Sequence, residues 1–225
     1  MENEGKLQAS RGTRRISGSL LLAAGALVLF GWLSQEVALG GTQAFDDWSR
    51  NTIHAHASHG LTWVMAHVTE MGSFLWLTPL TLVLTIGLVI RRRPSDARLL
   101  LISLGGAFLF DMLLKLVFHR ARPEPYFGTQ LPASFSYPSG HAIFSTCFYG
   151  MAAAIFSERM NSWWACWGIR ISAGLIILMV CFSRVFLGVH YTSDVIGGCS
   201  ISAFWVSLLI LKERSRLNQD KKKAS

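Results

Sequence analysis

Residues 74–93 read FLWLTPLTLVLTIGLVIRRR: an uncharged apolar run closed by three arginines. A second uncharged run, residues 17–35, reads SGSLLLAAGALVLFGWLSQ. Each approaches the roughly 20 residues that cross a bilayer core. The composition agrees, with 51% of the 225 residues hydrophobic, 15% charged and a mean hydropathy of +0.38. That balance excludes a disordered or fibrous chain and argues against a soluble domain. A water-free bilayer core satisfies backbone polar groups only in helices or closed barrels, so apolar runs of this length mean helices. The expected fold is all-α, a polytopic membrane protein with six transmembrane helices at about 17–38, 72–90, 97–118, 141–157, 167–187 and 193–211. The first run ends in a small-residue site at Ala38, Leu39 and Gly40, as a signal peptide would. Its apolar stretch exceeds a typical signal core and ends in Gln35 and Glu36, so it reads as a retained anchor.

The net charge of +8 lies in clusters beside these runs. Lys6, Arg11, Arg14 and Arg15 precede the first, Arg91, Arg92, Arg93 and Arg98 follow the second, and Lys212 to Lys223 follow the last. Such clusters flank membrane spans and are no stripe for nucleic acid. They divide the chain into a basic cytoplasmic N-terminus (1–16), a membrane domain (17–211) and a basic, frayed cytoplasmic tail (212–225). In a six-span layout both termini, the 91–98 loop and Arg159 in the 158–166 loop share one side, which the positive-inside rule makes cytoplasmic. The other side receives the 39–71 loop, the 119–140 loop and the short 188–192 connection. Trp48, Trp63 and the apolar positions 61–68 predict a short interfacial helix in the first of these, and Pro79 predicts a kink in the second span. Cys147, Cys166, Cys181 and Cys199 show no metal-like spacing and read as reduced, buried thiols.

Three polar stretches fall on the non-cytoplasmic side. In the first, Lys115 and Arg122 are seven residues apart, about two helical turns, so both fit one helix face. Asp111, one turn before Lys115, is placed to pair with it. In the second, Pro138, Ser139, Gly140 and His141 lead into an apolar helix whose first N–H groups and dipole favour an anion. In the third, Ser183 and Arg184 end one span and His190 precedes Asp194 by four residues. If that segment is helical, Asp194 can hold one ring nitrogen of His190 and present the other as a nucleophile. Taken singly, Lys115 is a snorkelling lysine, residues 138–140 a good helix start, and His190–Asp194 a structural contact. Three cations, a row of amide donors and two histidines at one face together describe a site for transfer of a phosphate group. His54, His56 and His59 could bind a metal, but lack neighbouring acidic ligands and read as a solvated loop. Glu70 fits either the border of the site or a helix cap.

The pattern K-x6-R-P, P-S-G-H and S-R-x5-H-x3-D resembles the three-part signature of the type 2 phosphatidic acid phosphatases, which share their site with the vanadium haloperoxidases. All eleven fixed positions are present in order, over about residues 72–211. The resemblance implies a metal-independent phosphatase without a cofactor. In it His190 attacks phosphorus to form a phosphohistidine, Asp194 orients His190, and His141 protonates the leaving oxygen. Lys115, Arg122 and Arg184 hold the phosphoryl oxygens with Ser139 and the Gly140 amide. The expected partners are a lipid phosphate substrate and membrane lipids, in the multi-pass inner membrane of a bacterium. Phosphatidate, phosphatidylglycerol phosphate and a polyprenyl diphosphate all fit. The alternatives are a phospholipid transporter or scramblase that only binds headgroups, and a haloperoxidase using bound vanadate.

Overall fold

The computed structural model describes residues 2–128 and 131–224, and the described chain is helical apart from turns and loops, with no strand. In order the helices are α1 (Glu2–Leu39), α2 (Gln43–His54), α3 (His59–Val68), α4 (Phe74–Ile90), α5 (Pro94–Phe118), α6 (Gly140–Ser157), α7 (Trp163–Phe186) and α8 (Thr192–Ala224), with a 3-10 turn at Thr69–Gly72. α6 is the hub, packing against α5, α7 and α8, while α1 lies along α8. Leu77, Leu100, Ile143, Cys147, Met151 and Ile201 form the main apolar core. Large apolar side chains such as Leu21, Val28, Leu75, Val83, Ile90, Val117 and Leu178 cover the outside. In water they would be an aggregation hazard; around a membrane bundle they meet lipid tails.

Four helical stretches are long and apolar enough to cross a membrane: Ser17–Leu39, Pro94–Phe118, Trp163–Phe186 and Thr192–Asp220. His59–Gly72 with Phe74–Ile90 makes a fifth if that bent pair is one span. α6 coincides with the remaining expected span, 141–157, but is not among the helices long and apolar enough to cross by themselves. Its 18 residues carry Ser145, Thr146 and Ser157, and eleven of them are buried, so protein rather than lipid surrounds it and it need not be apolar all round.

Several expected boundaries are corrected. α7 starts at Trp163 rather than 167, because Ser162 caps it by accepting a hydrogen bond from the Ala165 amide. The tail does not fray: α8 runs on to Ala224, with Arg214 bonded to Glu158 and Arg216 to Glu213. The first loop holds two helices and a 3-10 turn where one helix was expected. α2 escapes an apolar-periodicity reading because its buried residues are Asp46, Ser49 and Arg50. The 48° bend ahead of α4 falls at the break after Gly72, not at Pro79, which lies inside α4. Ser73 caps α4, so Glu70 is not its cap. All four cysteines are free, Cys147 and Cys181 buried, Cys166 and Cys199 half-buried.

Candidate active site

Close helix approaches at glycines assemble the site. A Cβ on Gly198 of α8 would stand 2.8 Å from the Ser139 carbonyl oxygen and 3.0 Å from Ala142 Cβ. A Cβ on Gly140 would stand 2.5 Å from Asp111 Oδ1 and 3.4 Å from Lys115 Nζ. Only glycine lets the start of α6 press against α8 on one side and the Asp111–Lys115 pair of α5 on the other. That pair is closed at 2.6 Å, as its spacing predicts. At the turn between α7 and α8, Gly188 has φ +72°, and a Cβ there would meet the Tyr126 backbone nitrogen at 2.7 Å.

Arg122 does not lie on a helix face with Lys115. α5 stops at Phe118, with His119 in the left-handed region at φ +47°, and Pro123 and Pro125 bar a helical continuation. Loop contacts position Arg122 instead. Its Nε donates to the Ser134 carbonyl at 2.8 Å and Nη2 to Ser134 Oγ at 3.1 Å, while Nη1 donates to the Val189 carbonyl at 2.9 Å. Nη1 also stands 3.0 Å from His190 Nε2. Burial lowers the Arg122 pKa from the usual arginine value, with Asp194 and Asp111 opposing.

His190 also precedes its helix, since α8 begins at Thr192. The expected contact forms nonetheless, with His190 Nδ1 3.3 Å from Asp194 Oδ2. A proton on Nδ1 satisfies Asp194 and leaves the Nε2 lone pair facing Arg122. His190 is 1% exposed. Burial pushes its pKa down to about 3; Asp194 opposes this, and Arg122 and Arg184 add to it.

The remaining expected residues converge on the same place. Arg184 Nη1 donates to Thr69 Oγ1 at 2.7 Å. His141 stands within electrostatic reach of Arg184, His190, Lys115 and Arg122. The Ser139 N–H, expected to face an anion, instead donates to the Asp194 carbonyl at 3.0 Å. The Gly140 and His141 amides open α6, where first-turn N–H groups have no partner within the helix. Among the described residues seven buried side-chain polar atoms have no hydrogen-bond partner, and Ser139 Oγ and Arg184 Nε at this site are two of them. At a cluster of cations they fit a ligand that supplies acceptors.

The sequence reading missed four contributors. Arg120 bridges Asp46 at 2.7 Å and Asp194 at 2.6 Å; Ser136 donates to Asp194; Thr69 holds Arg184. The one available signal was Arg120 itself, a second arginine inside HRARP. The nearby histidines of the first loop are engaged separately: His54 stacks on Tyr126 at 3.7 Å and His56 Nδ1 lies 2.9 Å from the Thr52 carbonyl. Among the described residues no three His, Cys, Asp or Glu side chains gather as metal ligands.

Comparison with known proteins points the same way. The model of the PAP2 superfamily matches residues 96–216. The chain is similar to phosphatidylglycerophosphatase B of Bacillus subtilis, 33% identical over 144 residues covering 61% of this chain and 68% of that protein. It is similar to an undecaprenyl-diphosphatase of Sulfolobus acidocaldarius, 28% identical over 161 residues covering 69% and 71%. Its structure superposes with a TM-score of 0.79 and 27% identity on the crystal structure of a transmembrane PAP2-type phosphatidylglycerolphosphate phosphatase from Bacillus subtilis, covering 86% of this chain and 96% of that one. With the family's pattern, fold and residues 96–216 all matched, this multi-pass membrane protein belongs to the PAP2 superfamily.

Proposed function

We propose that the chain removes phosphate from a lipid phosphate monoester or diphosphate through a phosphohistidine on His190. The observation that carries the reading is one cluster. His190 Nε2 faces Arg122 at 3.0 Å, backed by Asp194 through Nδ1, beside the unpartnered Ser139 Oγ and Arg184 Nε. A phosphoryl group supplies acceptors for those orphans and for the α6 amides, and on arrival takes the Arg122 N–H that now points at Nε2. In the first step Nε2 attacks phosphorus, the bond from phosphorus to the lipid oxygen breaks, and His141 gives that oxygen a proton. In the second, His141 takes a proton from water, the water oxygen attacks the phosphohistidine, and inorganic phosphate leaves with His190 restored. Lys115, Arg122 and Arg184 offset charge on the transferring oxygens, the task metal ions perform in many phosphoryl-transfer enzymes. Phosphatidylglycerol phosphate and a polyprenyl diphosphate are the first substrates to try, given the relatives named above. A transporter or haloperoxidase reading leaves the phosphatase-named relatives unexplained.

The test is phosphate release from a panel of lipid phosphates by purified protein, with and without EDTA, alongside labelling by 32P substrate. Turnover in EDTA and acid-labile, base-stable label are expected, both lost in a folded His190→Ala variant. Unchanged turnover in that variant would refute the phosphohistidine route.

The proposed layout is six spans built on α1, α4, α5, α6, α7 and α8, with α3 at the interface and the basic segments 1–16 and 212–225 in the cytoplasm. The positive-inside bias of Arg91–Arg93 supports this orientation and puts hydrolysis on the non-cytoplasmic face of a bacterial inner membrane. In a cysteine-free active variant, a cysteine at Gly128 should react with an impermeant maleimide in intact cells and one at Ser95 only after permeabilisation; the reverse pattern would move the substrate pool to the inner leaflet.

A further inference from the structure

We propose that Arg120, anchored by Asp46 of α2, is a positioning residue for phosphoryl transfer: it fixes the Asp194 carboxylate that orients His190. The inference rests on the phosphatase reading above. The Arg120 fork divides between two carboxylates. Nη1 reaches Asp194 Oδ1 at 2.6 Å and Ser193 Oγ at 2.7 Å; Nη2 reaches Asp46 Oδ2 at 2.7 Å and Thr42 Oγ1 at 3.2 Å. Both carboxylates are 0% exposed and the guanidinium lies 4.2 Å from the centre of the Tyr191 ring. Asp46 also accepts from the Ser193 N–H at 2.9 Å and the Ser193 hydroxyl at 2.6 Å, so α2 caps the start of α8 from outside it.

Asp194 therefore has its two oxygens assigned to different tasks. Oδ1 belongs to Arg120, while Oδ2 accepts from the Tyr191 N–H at 2.9 Å and Ser136, and faces His190 Nδ1. A carboxylate held at both oxygens cannot rotate away from the imidazole. Asp46 matters because one guanidinium shared by two carboxylates leaves Asp194 more of its negative charge than a private ion pair would. That charge steadies the positive imidazole as Nε2 bonds to phosphorus. Burial works against the charge of Arg120, yet Asp194 and Asp46 outweigh it and its pKa is raised. Arg120 thus stays a cation throughout. Lysine, a point charge without the fork, cannot serve both carboxylates in this geometry.

The experiment measures kcat, KM and thermal midpoint for Asp46→Asn, Arg120→Lys, their double variant and Arg120→Ala. Ser103→Ala serves as the structural control, because its hydroxyl, on α5, makes a buried bond to the Cys147 carbonyl of α6. Orienting groups behind a reacting centre are typically worth 10–100-fold, so Asp46→Asn and Arg120→Lys should each lower kcat by about that range with KM little changed. The double variant should lose less than the product of the two, since they act through one carboxylate. Ser103→Ala should lower the thermal midpoint with kcat intact. If Arg120→Ala does not fold, the near-isosteric Asp46→Asn carries the test alone. Folded Asp46→Asn and Arg120→Lys proteins with wild-type kcat would overturn the inference, as would a raised KM at unchanged kcat, which would make Arg120 a substrate ligand. Wild-type turnover and its loss in His190→Ala judge the phosphatase reading separately.

Discussion

Both ends of the bundle carry arginine–carboxylate pairs, but in different surroundings. At the end holding His190, Arg120 joins Asp46 and Asp194 with side chains at most 13% exposed. At the end holding Arg91–Arg93, Arg159 pairs with Asp96 and Arg214 with Glu158, at side-chain exposures between 14% and 40%. The residue types match, so burial sets the consequence. An exposed charge that loses its partner regains water, whereas a buried one is stranded, at about 3–5 kcal/mol in measured cases. The His190 end is thus a rigid polar device and the opposite end an adaptable surface.

The largest effects should come from breaking the rigid end. Arg184→Ala removes one of the phosphoryl ligands proposed above, orphans Thr69, and deletes a charge already in place before substrate arrives. Losing a single preorganised donor of this kind costs about 10²–10³-fold in kcat. Arg184→Lys should recover part of it, since a point charge remains without the fork. Steady-state kinetics on a folded Arg184→Ala protein decides the matter; a loss below threefold would show that this end is no more exacting than the other.

An intermediate effect follows from acid. Folded His190 titrates at about 3 because it is buried, against 6.5 when unfolded. Between those values the unfolded chain binds a proton at this position that the folded chain refuses, so stability is lost as pH falls through the window. Above 6.5 neither state binds the proton and the effect vanishes. Wild type should therefore lose thermal midpoint faster than His190→Gln between pH 6.5 and 4.5 in detergent. Parallel curves for the two proteins would contradict a neutral, buried His190.

This contrast also explains what was legible in the sequence. The apolar runs became helices because bilayer length and backbone satisfaction dictate them, although α1 begins already at Glu2 and α8 runs on to Ala224. Asp111 and Lys115 met because they stand one turn apart on α5, whereas His190 meets Asp194 from the turn ahead of α8. Arg122 reached the expected place by a different route, through Ser134 and Val189; no local spacing encodes a contact that a loop makes across the fold. Asp46 was invisible for a deeper reason. It lies 148 positions before Asp194 in a helix whose buried face is polar, and apolar periodicity is blind to such a face. Ser136, two residues ahead of the P-S-G-H stretch, has the most ordinary of side chains, and only its burial against Asp194 marks it out.

The smallest effect should come from the adaptable end. Arg214 Nη2 lies 2.5 Å from Glu158 Oε1, and Nη1 donates to Ser19 Oγ at 3.0 Å. The pair ties α8 to the end of α6, so its geometry is as good as that of Arg120 with Asp194. Its Glu158 side chain is 40% exposed, however, and Arg214 22%. Water screens the attraction and solvates whichever partner remains, so a double-mutant cycle over Arg214→Ala and Glu158→Ala should return a coupling of only about 0–1 kcal/mol. Turnover should stay within about twofold of wild type, because neither side chain approaches the reacting groups. Molar salt should shrink the coupling further, as the screening length falls to about 3 Å. A salt-insensitive coupling above about 2 kcal/mol, beyond the range of exposed pairs, would mean that the basic end is as preorganised as the catalytic one. Burial would then no longer separate them, and the long α8 helix, which begins beside Asp194 and passes Arg214, would have to be treated as one rigid lever between the two ends.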